Sequence, residues 1–258
     1  MKIRLVQILL VITISNIASI TNSWAQELKM GYFILSPHII RTNNNQPVGS
    51  AVDWFKQYVA PHMSHKIVWE KKEKPLKRLL GEIENGNTDM SVLFAKRPDR
   101  EAYMYYPKQS YIDTVPSLLV RSDNSIKSIK NLDDIKQLKI GFVKGGFIPP
   151  TIKSAGLNFK LITGKDWQEL NLKKLQSKRI DAIFAVQDIS ARYLARKHNL
   201  LSETKLLKMP VKAVKNYTVF SKKSTTLSIV SEYEKALHKA DMAMPYRHFI
   251  EIWQDPGN

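Results

Sequence analysis

Two arginines stand where an apolar run gives out. In "NTDMSVLFAKRPDRE" the run Met90 to Ala95 leads straight into Arg97 and Arg100, with Pro98 and Asp99 between them. A guanidinium keeps its charge at biological pH and presents a planar fork of donors, so this pair could hold an anion. The competing arrangement is an ordinary surface pair, Arg100 with Asp99 or Glu101, because most arginines are exposed. Other reactive chemistry is thinly represented. The chain has no cysteine and no G-x-S-x-G elbow, which removes thiol catalysis, disulfides and a common serine-nucleophile turn. The six histidines (38, 62, 65, 198, 238, 248) are scattered, and His62 and His65 show no third ligand, so no metal site is expected.

The first 25 residues read as an export signal rather than as part of the fold. Lys2 and Arg4 precede an apolar stretch from Leu5 to Ile14, and the segment closes on the small-x-small pattern Ser23-Trp24-Ala25. That stretch is about half of the ~20 residues a spanning helix needs, so cleavage before Gln26 and a periplasmic location are expected. Without a cysteine the chain cannot be a lipidated lipoprotein. Most of the +17 net charge belongs to the remainder and attracts anions or acidic surfaces. Its lysines are scattered rather than gathered on one motif, which argues against a nucleic-acid partner.

Strands and helices alternate along this remainder. "LKMGYFIL", "HKIVWE" and "DMSVLFA" read as strands, separated by the helical patterns "SAVDWFKQYVA" and "PLKRLLGEIENG". Alternation of this kind predicts an α/β protein with a largely parallel sheet covered by helices. A second unit follows, with strands at "VPSLLVRS", "KIGFVKGG", "NFKLIT" and "IDAIFAV" and helices at "DWQELNLKKLQSKR" and "DISARYLARKHNL". One element occurs twice. "LLGEIENGNTDMSVLF" and "NLKKLQSKRIDAIFA" share a helix end, a polar turn, an aspartate (Asp89, Asp181) and an apolar strand. Two similar lobes are the simplest arrangement, with a ligand between them at the carboxyl ends of the strands.

Five stretches in order resemble the bacterial extracellular solute-binding proteins of family 3, the amino-acid-binding type of ABC importers. They are "QPVGSAVDWFKQYVA", "IENGNTDMSVLFAKRPDR", "YMYYPKQSYI", "LLVRSDNSIKSIKNLDDIKQLKIGFVKGG" and "RIDAIFAVQDISARYLARK". The resemblance implies the two-lobed periplasmic binding protein type 2 fold, with two mixed or parallel sheets flanked by helices and joined by two hinge strands. Lobe 1 would comprise residues 26–117 plus 216–258, and lobe 2 residues 118–215. It further implies a monomer that needs no cofactor, closes on a small solute, most readily an amino acid, and delivers it to a membrane permease. The same fold serves some sensor modules and a few exported enzymes. An enzyme would need an acid or base in the cleft, and Asp188, Glu101 and His38 are the candidates.

By the same resemblance Arg100 would clasp a ligand carboxylate. Arg97 stands where the family carries a threonine, and Ala95 at a frequent Ser/Thr position, so a second cation has replaced a hydroxyl. The second-lobe turn reads Gly145-Gly146-Phe147, which keeps backbone donors but lacks the family's threonine. The family's amino-group aspartate falls at Val186 or Gln187, and Asp188 lies one residue further. Asp188 either enters the site through a one-residue insertion or caps the following helix. The aromatic platform falls at Leu35, with Tyr32, Phe33 and His38 as substitutes. These replacements keep the anion grip and weaken the amino-group grip. A small carboxylate, a dicarboxylate or another anion held by Arg97 and Arg100 together is therefore the alternative to an amino acid.

Overall fold

A computed structural model describes residues 27–42 and 46–254, so the expected export segment lies outside the described residues. The first sheet is built from β1 (Glu27–Met30), β2 (Lys66–Trp69), β3 (Met90–Ala95), β4 (Met104–Tyr105), β5 (Ile112–Thr114) and, much later, β11 (Val214–Ser221). Its order is β2-β1-β3-β11-β4, with β5 also paired to β11. β1 runs parallel to β2 and β3, whereas β11 is antiparallel to its neighbours. The second sheet contains β6 (Ser117–Arg121), β7 (Ile140–Val143), β8 (Phe159–Ile162), β9 (Ala182–Ala185) and β10 (Thr204–Lys208), in the order β10-β6-β9-β7-β8. Both sheets are therefore mixed, and each has a parallel part that alternation predicts.

Helices α1 (Ser50–Trp54), α2 (Leu76–Glu84) and the short α3 (Pro98–Glu101) belong with the first sheet. α4 (Pro150–Ser154), α5 (Trp167–Gln176) and α6 (Asp188–Lys197) accompany the second. The long α7 (Leu227–Ala243) and α8 (Tyr246–Gln254) return to the first. Their apolar faces bury Tyr233 and Tyr246 completely. Tyr246 packs on Trp54 at 5.2 Å, and Tyr233 stacks on Phe55 at 6.3 Å, so the C-terminal helices complete the core begun by α1. The helix expected from "SAVDWFKQYVA" starts as α1 and widens into a π turn over Phe55–Val59.

The repeated element has a physical counterpart. Asp89 Oδ2 accepts from the backbone N–H of Lys29 at 2.7 Å, and Asp181 Oδ2 accepts from that of Lys139 at 2.8 Å. Each aspartate precedes a buried strand and clips it to its neighbour in the same sheet, β3 to β1 and β9 to β7. The chain passes between the sheets twice. The first passage is the short link from β5 to β6, and the second runs from β10 to β11. The two lie against each other, with Met209 N–H bonded to Pro116 O at 2.9 Å.

Candidate functional site

β3 ends in the cleft between the sheets. All six of its residues are buried, as expected for a central strand covered on both faces. Leu93 sits in its middle with φ 69°, a left-handed conformation that costs a branched apolar residue energy. It lies opposite a register shift in β11 between Tyr217 and Val219, and its N–H leaves the ladder to donate to the Tyr111 hydroxyl at 2.8 Å. A bulge of this kind re-aims the residues that follow, here Phe94, Ala95 and the turn into α3.

That turn buries Arg100, which is 2% exposed. Its Nη1 donates to Ala95 O at 3.3 Å and its Nη2 to Gly145 O at 2.7 Å, and the guanidinium lies 5.4 Å from the centre of the Phe94 ring. Burial pulls its pKa down, yet a guanidinium remains charged at neutral pH. Among the described residues no carboxylate is bonded to it. Asp99 is held by both prongs of Arg97, at 2.8 and 2.7 Å, and Glu101 meets Lys96 at 3.4 Å. The surface-pair arrangement is thus taken by Arg97, while Arg100 turns inward.

Arg100 faces a cavity of about 70 Å³. Of the residues singled out in the sequence, Arg100, Ala95, Phe33, Gly146, Phe147 and Gln187 line it. Leu35 and Val186 line it as well. Gly145 takes part through its carbonyl, at φ +87°. Four expected residues are not brought to the cavity lining, Tyr32 among them, which is buried against Trp69 at 6.1 Å. Arg97 is turned away by its bond to Asp99, so the two arginines do not converge. Asp188 opens α6 and makes no capping bond, where its charge suits the positive end of the helix. His38 is fully buried, with Nδ1 2.5 Å from the Tyr246 hydroxyl, which also meets Ser50 Oγ at 2.9 Å. Burial pushes the His38 pKa down to about 3, against a smaller opposing pull from Gln187. A ring so placed is neutral at neutral pH.

The structure adds residues that local patterns do not reveal. Trp167 opens α5, and its indole N–H donates to Ile34 O at 3.1 Å. Next to it, Gln168 Oε1 accepts from Ser36 N–H at 2.9 Å. Arg41 reaches Asp166 at 2.6 Å and Glu73 at 2.8 Å, and Lys165 approaches Glu73 at 3.4 Å. Together these bonds draw the start of α5 onto the loop after β1 and close one rim of the cleft. Phe142 and Phe184 meet at 4.9 Å beneath that rim and form part of the cavity wall. Among the described residues no group of three acidic, histidine or cysteine side chains could hold a metal ion, and no helix is long and apolar enough to cross a membrane.

No family model matches the chain, and no curated protein matches it. Solved structures do. An ancestral arginine-binding protein bound to arginine is 20% identical, with 88% of this chain and 97% of that one covered and a TM-score of 0.71. An arginine transport periplasmic binding protein from Legionella pneumophila is 17% identical, with 88% and 98% covered and a TM-score of 0.71. A histidine kinase sensor domain with similarity to periplasmic binding proteins is 13% identical, with 89% and 96% covered and a TM-score of 0.72. At these identities the likeness shows a shared fold, the two-lobed periplasmic binding protein architecture.

Proposed function

We propose that this chain captures a small carboxylate-bearing solute between its lobes and hands it to an ABC importer in the periplasm. One observation carries the reading: Arg100 is a buried cation, turned into the cleft, with no carboxylate among the described residues bonded to it. A charge so placed is costly unless something negative joins it. The lobes take residues 26–117 plus 216–258 and 118–215. The ligand carboxylate meets Arg100 and the N–H groups of Gly145 and Phe147, that of Gly146 being bonded to Val143 O at 3.1 Å, and closure excludes water from that contact. Because the neighbours bind arginine or belong to amino-acid importers, an α-amino acid is the first class to try. The neighbours are binding proteins rather than enzymes, in keeping with a chain that binds without turnover.

The test is a thermal-shift screen of amino acids and organic acids at millimolar concentration. A rise in Tm with one compound, and no product formed, supports the reading. A panel without any response overturns it. The sensor-domain neighbour favours a second reading, in which the closed lobes are read by a receptor. A permease gene beside this one supports delivery, and a kinase gene supports sensing.

A further inference from the structure

Resting on that reading, we infer that the solute is a monocarboxylate with an apolar body and no ammonium group. Charge comes first. Among the residues lining the cavity, Arg100 is the one ionisable side chain. A monocarboxylate makes the closed cavity neutral. An α-amino acid adds an ammonium and leaves one uncompensated positive charge away from water. A dicarboxylate leaves one negative charge. Isolated charges of either sign are expensive in such a place. Asp188, the acid that could have met an ammonium, does not line the cavity, and Arg97, which could have met a second carboxylate, is engaged by Asp99.

Shape comes second. The lining includes Ala191 and Leu194 on α6 and Leu119 and Ile183 on β6 and β9, buried members of one apolar cluster. Six aromatic rings, Phe33, Phe94, Phe142, Phe147, Trp167 and Phe184, also line the cavity. A carboxylate anchored on Arg100 thus faces a lining that is otherwise mostly apolar, and a hydrocarbon tail suits it because burying methylenes is favourable.

One polar atom fixes a further detail. Gln187 and Ser190 are 3% and 4% exposed and line the cavity; Gln187 is engaged by the His38 ring, whereas Ser190 Oγ has no hydrogen-bond partner. One amide N–H of Gln187 donates to Asn216 Oδ1 at 3.3 Å. Buried polar atoms of this kind are usually satisfied. An uncharged oxo group on the solute suits this one: the Ser190 hydroxyl can donate to an oxo oxygen.

Matched pairs test this on the unaltered protein by isothermal titration. 4-Methyl-2-oxopentanoate against leucine and 3-phenylpropanoate against phenylalanine differ at the nitrogen, and succinate adds a second carboxylate. Each deaminated member is expected to bind at least ~10-fold tighter than its amino acid, about 1.4 kcal/mol. An amino acid or succinate that binds as tightly as the monocarboxylates overturns this inference and leaves carboxylate capture standing. Failure of every carboxylate to bind overturns both. In Ala191→Leu, which enlarges a side chain of that lining, the preference for 4-methyl-2-oxopentanoate over pyruvate should fall several-fold. An unchanged preference in a folded Ala191→Leu protein overturns the placement of the tail, and the matched pairs decide the charge argument whether or not that variant folds.

Discussion

Arg100 reaches across the cleft, its Nη2 2.7 Å from the carbonyl oxygen of Gly145 on the turn after β7. The cation that faces the cavity is thereby also a strut between the two sheets. Its two duties respond differently to substitution. Arg100→Met removes a desolvated charge together with two bonds to backbone carbonyls, costs that oppose each other. Urea unfolding should therefore change by no more than about 1 kcal/mol, while any carboxylate-induced rise in Tm disappears. Arg100→Lys keeps the charge and loses the fork, and affinity should fall roughly tenfold or more. Full ligand response in Arg100→Met would refute the assignment.

His38 sets a pH dependence. Its folded pKa of about 3 lies below the ordinary 6.5. Between those values the unfolded chain binds a proton that the folded chain does not. This contribution to stability is complete above pH 6.5 and is lost as pH falls, by about 1.4 kcal/mol per unit. In His38→Gln the component should vanish, so the gap between wild type and variant narrows steadily from pH 7 to pH 5. Parallel pH profiles for the two proteins would contradict the buried neutral ring.

The bonds at the start of α5 hold one rim closed. Trp167→Phe deletes the indole donor to Ile34 O, and its ring remains to pack. Loss of one such bond costs about 1 kcal/mol, drawn from the closed state alone. Small-angle scattering should show a larger radius of gyration, and solute affinity should fall about fivefold. Arg41→Ala should do less to either, because Arg41 is 43% exposed and such pairs contribute little. Unchanged scattering in Trp167→Phe would mean that other contacts hold the rim.

Gly49 is irreplaceable for steric reasons. At φ +125° a Cβ would stand 2.6 Å from His38 O and 2.7 Å from Pro37 O. Backbone atoms cannot swing aside as a side-chain tip can. Gly49→Ala should cost on the order of 3 kcal/mol, the sum of a forbidden φ and a displaced loop. A melting temperature within two degrees of wild type would show that the loop yields.

Much of this was legible because local chemistry announces it. The strands at "DMSVLFA" and "IDAIFAV" are apolar runs behind polar turns, and Asp89 and Asp181 mark them in matching contexts. Arg100 could be singled out because a cation so close to a buried strand has few places to go. Asp188 and Arg97 show the limit: a helix start and a neighbouring acid decide where each side chain turns, and both compete with the cleft on nearly equal terms. Trp167 and Gln168 were invisible, since their partners Ile34 and Ser36 lie more than a hundred residues away and are met through the backbone. Which loop faces which across a cleft is a property of the assembled fold.

β11 sits between β3 and β4 and also pairs with β5, yet it is made of residues 214 to 221. Every strand of the second sheet precedes it. A chain emerging from its N-terminus therefore completes the later half first, and the half that begins the sequence waits, open along its central seam, until almost everything has been delivered.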